Sequence, residues 1–345
     1  MGTEESDQPP VAEDPPQILI SDSSTHEEVV AVSWRPLRPS PRALAPSPLW
    51  LALTAALVGS SLSWAQGTIR MVPTLLLFSA LTLLAGGANL LAAGYTLMHA
   101  PRSSWTVSPR SRRLSWLHIY LPVHSPAARA SFAGYICLVL ALILGLILAL
   151  ESSALILLPG ILGLVAAVTY RLPHYAWADQ PWAEIMALLL LGPATVLAAD
   201  LAQTGVIHGL ALSLSMPVGF LAAATLLSDH FRYFDSELST RPRALPTYLG
   251  LARSQLLLAL LVALAYLWVT VLGSRQGFYG LLLAWFSLPT ALVALTSALV
   301  AAAPRARHLI VHHVAQLHRS FTLWLALGTL LNGLMPWLIV HWPHP

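Results

Sequence analysis

The stretch MPVGFLAAATLLSDHFRYFDSE at residues 216–237 decides how this chain reads. It is an apolar run of membrane-spanning length that ends in three acids, Asp229, Asp235 and Glu237, set around Arg232. Seven Asp or Glu occur after residue 28, and three of them fall within these nine residues. Carboxylates at the end of a membrane helix are costly unless they have partners or a ligand, so function is sought here first.

Working outward, mean hydropathy is +0.68 and 10% of residues are charged. Apolar segments recur at 46–66, 72–98, 130–150, 152–171, 182–200, 207–231, 251–273, 277–303 and 320–341, each long enough for about 30 Å of hydrocarbon. This predicts an all-α, polytopic membrane protein and excludes a soluble core. All 18 basic residues are arginine, and cytoplasmic loops carry excess positive charge. With the N-terminus inside, 16 of the 18 fall on the cytoplasmic side, leaving Arg70 and Arg275 outside. The pattern predicts nine transmembrane helices in a multi-pass protein of the cell inner membrane or plasma membrane. Its N-terminus is cytoplasmic, its C-terminus outside, and the acid cluster faces the cytoplasm. The lipid bilayer is its surroundings, and no nucleic-acid partner is expected.

Residues 1–34 differ in kind, with eight acids, no arginine and several prolines. They read as a disordered acidic tail rather than a signal peptide, leaving 35–345 as the membrane domain. The single cysteine, Cys137, excludes an intramolecular disulfide and is expected to serve packing or lipid contact. His308, His312, His313 and His318, with arginines alongside, read as a basic interfacial helix rather than a metal or haem site. The GGANLLAAG run at 86–94 reads as small residues for close helix packing. Tryptophans such as Trp105, Trp116, Trp177, Trp182, Trp337 and Trp342 lie near segment ends, where an aromatic belt is expected.

The order of motifs after residue 160 resembles the UbiA superfamily of membrane prenyltransferases, most closely the branch that prenylates 1,4-dihydroxy-2-naphthoate in menaquinone synthesis. The resemblance rests on Ala183-Glu184 opening the fifth segment, Gly192-Pro193 within it, Pro217 and Gly219 opening the sixth, Asp229 to Glu237 closing it, and Arg241 to Gly250 beyond. LRPSPRALAPSPLW at 37–50 and SPAARA at 125–130 resemble the family's leads into its first and third helices. The resemblance covers about residues 35–340. It implies a nine-helix bundle in which two acidic motifs hold Mg²⁺ on an isoprenyl diphosphate, while the apolar tail lies among the helices and an aromatic acceptor attacks. By this resemblance the catalytic residues are Asp229, Arg232 and Glu237, and the metal ligands Asp229, Asp235 and Glu237. The substrate-binding residues are Asn89, Tyr95, Arg102, Glu184, Tyr233, Arg241 and Arg243.

The chain departs from that pattern in its second segment. No Asp or Glu occurs between residues 29 and 150, so the first acidic motif is absent, and Arg102, Arg110, Arg112 and Arg113 follow instead. Arginines bind phosphate directly, and they equally satisfy the positive-inside rule. In the second motif, Arg232 aligns Tyr233 with the family's first Asp and Glu237 with its second. On one continuous helix Asp229 and Glu237 stand about 12 Å apart, too far for one ion. Asp229 and Arg232 also have the i, i+3 spacing of a local ion pair. Glu184 reads either as part of the cytoplasmic pocket or as an acid favoured by a helix N-terminus.

Three readings follow. The first is a prenyltransferase moving an isoprenyl chain from its diphosphate to an aromatic acceptor. The second is a catalytically inactive homologue that binds a quinone, isoprenoid or pigment lipid, as a subunit of a membrane complex or alone. A transporter is the third, and no motif supports it.

Overall fold

The computed structural model describes residues 47–68, 70–99, 126–170, 176–232, 234–235, 244–300 and 304–341. The expected acidic tail and the candidates Arg102, Tyr233, Glu237, Arg241 and Arg243 lie outside these residues. Among the described residues all regular structure is helical: α1 (Ser47–Ala65), α2 (Met71–His99), α3 (Pro126–Glu151), α4 (Leu157–Thr169), α5 (Ala183–Leu189), α6 (Thr195–Thr204), α7 (Gly209–His230), α8 (Leu245–Leu249), α9 (Leu251–Gln276), α10 (Leu288–Val300) and α11 (Pro304–His341). Hydrocarbon offers a backbone no partners, so an apolar chain satisfies its own N–H and C=O groups as helix.

Each of the nine predicted segments coincides with helix. Among the described residues six stretches are long and apolar enough to cross a membrane: those in α2, α3, the α5–α6 unit, α7, α9, and Tyr279–Val300 containing α10. Leu49–Ala65 and Ala154–Thr169 are shorter apolar helices, and the segment at 320–341 is the second half of α11. In the first half of that helix Arg307, Ile310, Val314, Leu317, His318 and Phe321 recur at helical spacing and are buried against the bundle, while Leu309 on the opposite face is exposed.

Helix α7 is the central element, meeting α1, α5, α6, α9 and α11. Two-thirds of its most apolar window is buried (67%), against 17% in α2 and 22% in α3, whose outer faces are left for lipid. Pro217 sits inside α7 and lacks the N–H that would bond the carbonyl of Ser213. Trp268 of α9 donates its indole N–H to that carbonyl at 2.9 Å, so α7 continues through the proline. Between α5 and α6 the chain widens into one π-helical turn, Leu190–Ala194, around Pro193, and the Thr195 hydroxyl donates to the Leu190 carbonyl at 2.7 Å.

The Gly192 of that turn faces Gly219 of α7 at backbone contact. A Cβ on Gly192 would lie 2.7 Å from the Gly219 Cα, and one on Gly219 would lie 2.7 Å from the Leu188 carbonyl oxygen. The two small residues let α7 reach the α5–α6 unit. Gly87 and Gly94, two turns apart on α2, pack in the same way against Gly134, Ala127 and Ser131 of α3, as the small-residue run predicted.

Candidate functional site

A cavity of about 240 Å³ lies among α2, α3, α4, the α5–α6 unit and α7, with Val311 of α11 also in its wall. Its lining is overwhelmingly aliphatic. Along α2 it runs from Leu77 to Asn89, which at 1.5 Å per residue is about 18 Å. An elongated apolar slot suits a chain-like hydrocarbon better than a compact polar ligand. Its polar or polar-tipped residues are few: Asn89, Thr195, Thr225, Asp229, Tyr170 and Trp177.

Asp229 stands in the last turn of α7, where an apolar helix reaches its polar end. One of its oxygens accepts a hydrogen bond from Arg232 at 2.9 Å, the local pair expected from their spacing. Asp229 and Asn89, from α7 and α2, share the one cavity. Tyr95 takes another direction, its hydroxyl lying 3.3 Å from that of Tyr135 on α3 while its ring packs with Leu91 and Leu138. Asp235 is tied to α11, accepting from Arg307 at 3.0 Å, and the Arg307 guanidinium lies 5.7 Å from the Phe234 ring centre.

Glu184 is buried. Its carboxylate lies 3.0 Å from Nδ1 of His230, whose Nε2 lies 2.8 Å from the carbonyl oxygen of Ala178. That contact fastens the 177–179 turn beside the cavity. Trp177, in the same turn, is buried rather than placed in an aromatic belt. Its indole N–H donates to the Ala166 carbonyl at 2.8 Å, and its ring meets Tyr170 edge-on. Sequence reasoning missed His230 and Trp177 as parts of the site. The signal for His230 was present, an imidazole beside Asp229 at the end of an apolar helix, but its partner lies 46 residues away.

Among the described residues, no group of three or more His, Cys, Asp or Glu is placed to hold a metal ion. Mg²⁺ needs less than that when phosphate supplies the remaining oxygens, since one or two carboxylates suffice. Asp229 and Asn89 are the cavity-wall residues whose oxygens could serve as such ligands.

Solved structures share this arrangement of helices. A UbiA homologue from Archaeoglobus fulgidus bound to DMAPP and Mg²⁺ superposes with a TM-score of 0.52 at 15% identity, covering 84% of this chain and 98% of that one. The same homologue bound to GPP and Mg²⁺ gives 0.51 at 13% identity, covering 82% and 98%. A structure of digeranylgeranylglyceryl phosphate synthase gives 0.51 at 14% identity, covering 83% and 99%. This chain has the UbiA fold. Its resemblance to that superfamily extends to sequence: 1,4-dihydroxy-2-naphthoate octaprenyltransferase of Bacillus subtilis (strain 168) is 24% identical over 196 residues. That match takes in 56% of this chain and 62% of the relative, so it spans less than two-thirds of the relative's length. No family model matches.

Proposed function

We propose that this chain is a UbiA-type membrane prenyltransferase, moving an isoprenyl chain from a prenyl diphosphate to an aromatic acceptor such as 1,4-dihydroxy-2-naphthoate. The observation that carries this reading is the elongated apolar cavity with Asp229 and Asn89 in its wall. The slot takes the isoprenyl tail and excludes water from it. Asp229, oriented by Arg232, holds the head-group end, together with any Mg²⁺ that arrives on the diphosphate. Such an ion would stabilise negative charge on the departing oxygens. By the family resemblance, Arg102, Tyr233, Arg241 and Arg243 would add substrate contacts and Glu237 a further carboxylate, whereas Tyr95, paired with Tyr135, does not line the cavity. In this reading residues 35–345 form a nine-span domain with a cytoplasmic N-terminus in the inner or plasma membrane, preceded by an acidic tail at 1–34.

One observation favours a second reading, an isoprenoid- or quinone-binding protein without turnover. No acid occurs from residue 29 to 150, and Glu184 and Asp235 are already engaged by His230 and Arg307. The deciding experiment incubates purified protein with Mg²⁺, a labelled long-chain prenyl diphosphate and 1,4-dihydroxy-2-naphthoate, alongside the Asp229→Ala, Glu237→Ala double variant. Prenylated product that disappears in the variant supports transfer. Absence of product, where an active transferase turns over under the same conditions, rejects it in favour of lipid binding.

A further inference from the structure

The Glu184–His230 pair joins three walls of the cavity that the sequence leaves far apart. Glu184 opens α5, which contributes Ala187 to the lining. His230 ends α7 one residue after Asp229. Ala178 follows Trp177, itself a lining residue. Both side chains are nearly sealed, with 6% of each exposed.

The geometry fixes the chemistry of the contact. The Ala178 carbonyl can only accept, so Nε2 of His230 carries the hydrogen that points to it at 2.8 Å. Nδ1 then faces Glu184 Oε1 at 3.0 Å, and a hydrogen must lie between them, on one partner or the other. The ring is therefore held at both ends and cannot turn, and α5, the 177–179 turn and the end of α7 are locked to one another. The other carboxylate oxygen, Oε2, is buried without a hydrogen-bond partner among the described residues. An arrangement that seals a half-satisfied carboxylate costs stability, which a packing role alone would avoid by using apolar residues.

We infer that Glu184 and His230 are positioning residues for the head-group end of the cavity, holding Asp229 and Trp177 in place against a bound isoprenyl diphosphate. The inference rests on the functional reading above. They touch the ligand through these neighbours and not directly, since neither lines the cavity.

The test uses the full chain in lipid nanodiscs and two probes measured by calorimetry: farnesyl thiodiphosphate, which has tail and charged head, and farnesol, which has the tail alone. His230→Ala and Glu184→Ala are each expected to weaken the diphosphate probe about tenfold, the scale of one lost hydrogen bond to a charged group. Farnesol affinity stays within twofold. Because the pair acts as a unit, the double variant loses no more than either single one. Glu184→Gln regains the lost affinity, since a glutamine amide can donate to Nδ1 while Nε2–H still bonds Ala178. Equal losses for both probes, or no loss for either, overturn the positioning role and leave the function untouched. If His230→Ala does not fold, Glu184→Gln against Glu184→Ala carries the same comparison. Wild-type protein that binds farnesol but not the diphosphate overturns the functional reading, and the positioning role falls with it.

Discussion

The molecule has two polar ends built on opposite principles. At the junction of α6 and α7, far along the chain from the cavity's acid, Asp200 is fully buried with both oxygens taken. Ser63 of α1 donates to one at 2.8 Å, while the His208 ring at 2.8 Å and the His208 backbone N–H at 3.3 Å meet the other. Nearby, Gln203 accepts from the Arg70 N–H at 2.9 Å and donates to Thr74 at 2.6 Å. Gly205, at φ +75°, makes the left-handed close of α6 that brings the chain round to His208. At the other end Asp229 is about a quarter exposed, is held by the neighbouring Arg232 and stands in a cavity wall. The saturated acid is a fastening between α1, α6 and α7, whereas Asp229 stands partly exposed in a cavity wall.

Four substitutions break or sharpen that contrast. Asp200→Ala strips a buried hub and strands Ser63 and His208. Chemical or thermal unfolding should record a loss of about 3 kcal/mol, the low end for breaking a buried polar pair. Gly219→Ala drives a methyl group into the backbone of α5, and the expected loss is about 2 kcal/mol by overpacking, with reduced binding of an isoprenyl probe because α5 and α7 both line the cavity. Ser63→Ala removes one of the hydrogen bonds to Asp200, and unfolding should register about 1 kcal/mol. Asp229→Asn should cost least, about 0.5 kcal/mol for a partly exposed i, i+3 pair, yet it should abolish diphosphate-dependent binding in calorimetry. A variant that destabilises as much as Asp200→Ala would mean that Asp229 is a fastening too.

Legibility in the sequence followed interaction range. The nine apolar segments each became helix because hydrophobic length is a local property that hydrocarbon enforces. Asp229 with Arg232 was legible for the same reason, being three residues apart. The close packing of α2 on α3 was visible in a run of small residues. The partners of Glu184, Asp235 and Asp200 were not, because His230, Arg307 and Ser63 lie 46, 72 and 137 residues away. Local periodicity carries no record of which helix faces which. The same limit explains His318 and Trp177, polar-tipped residues near segment ends that read as interfacial and are buried by neighbours from other parts of the chain.

By itself, then, the sequence determined an all-helical membrane chain, the positions of its apolar segments and the stretch 229–237 where acids gather. Only the tertiary structure decided which acids are consumed by partners and which one faces a cavity. Helix formation in hydrocarbon is dictated within each segment by backbone satisfaction, whereas the state of a carboxylate depends on donors that other segments bring to it.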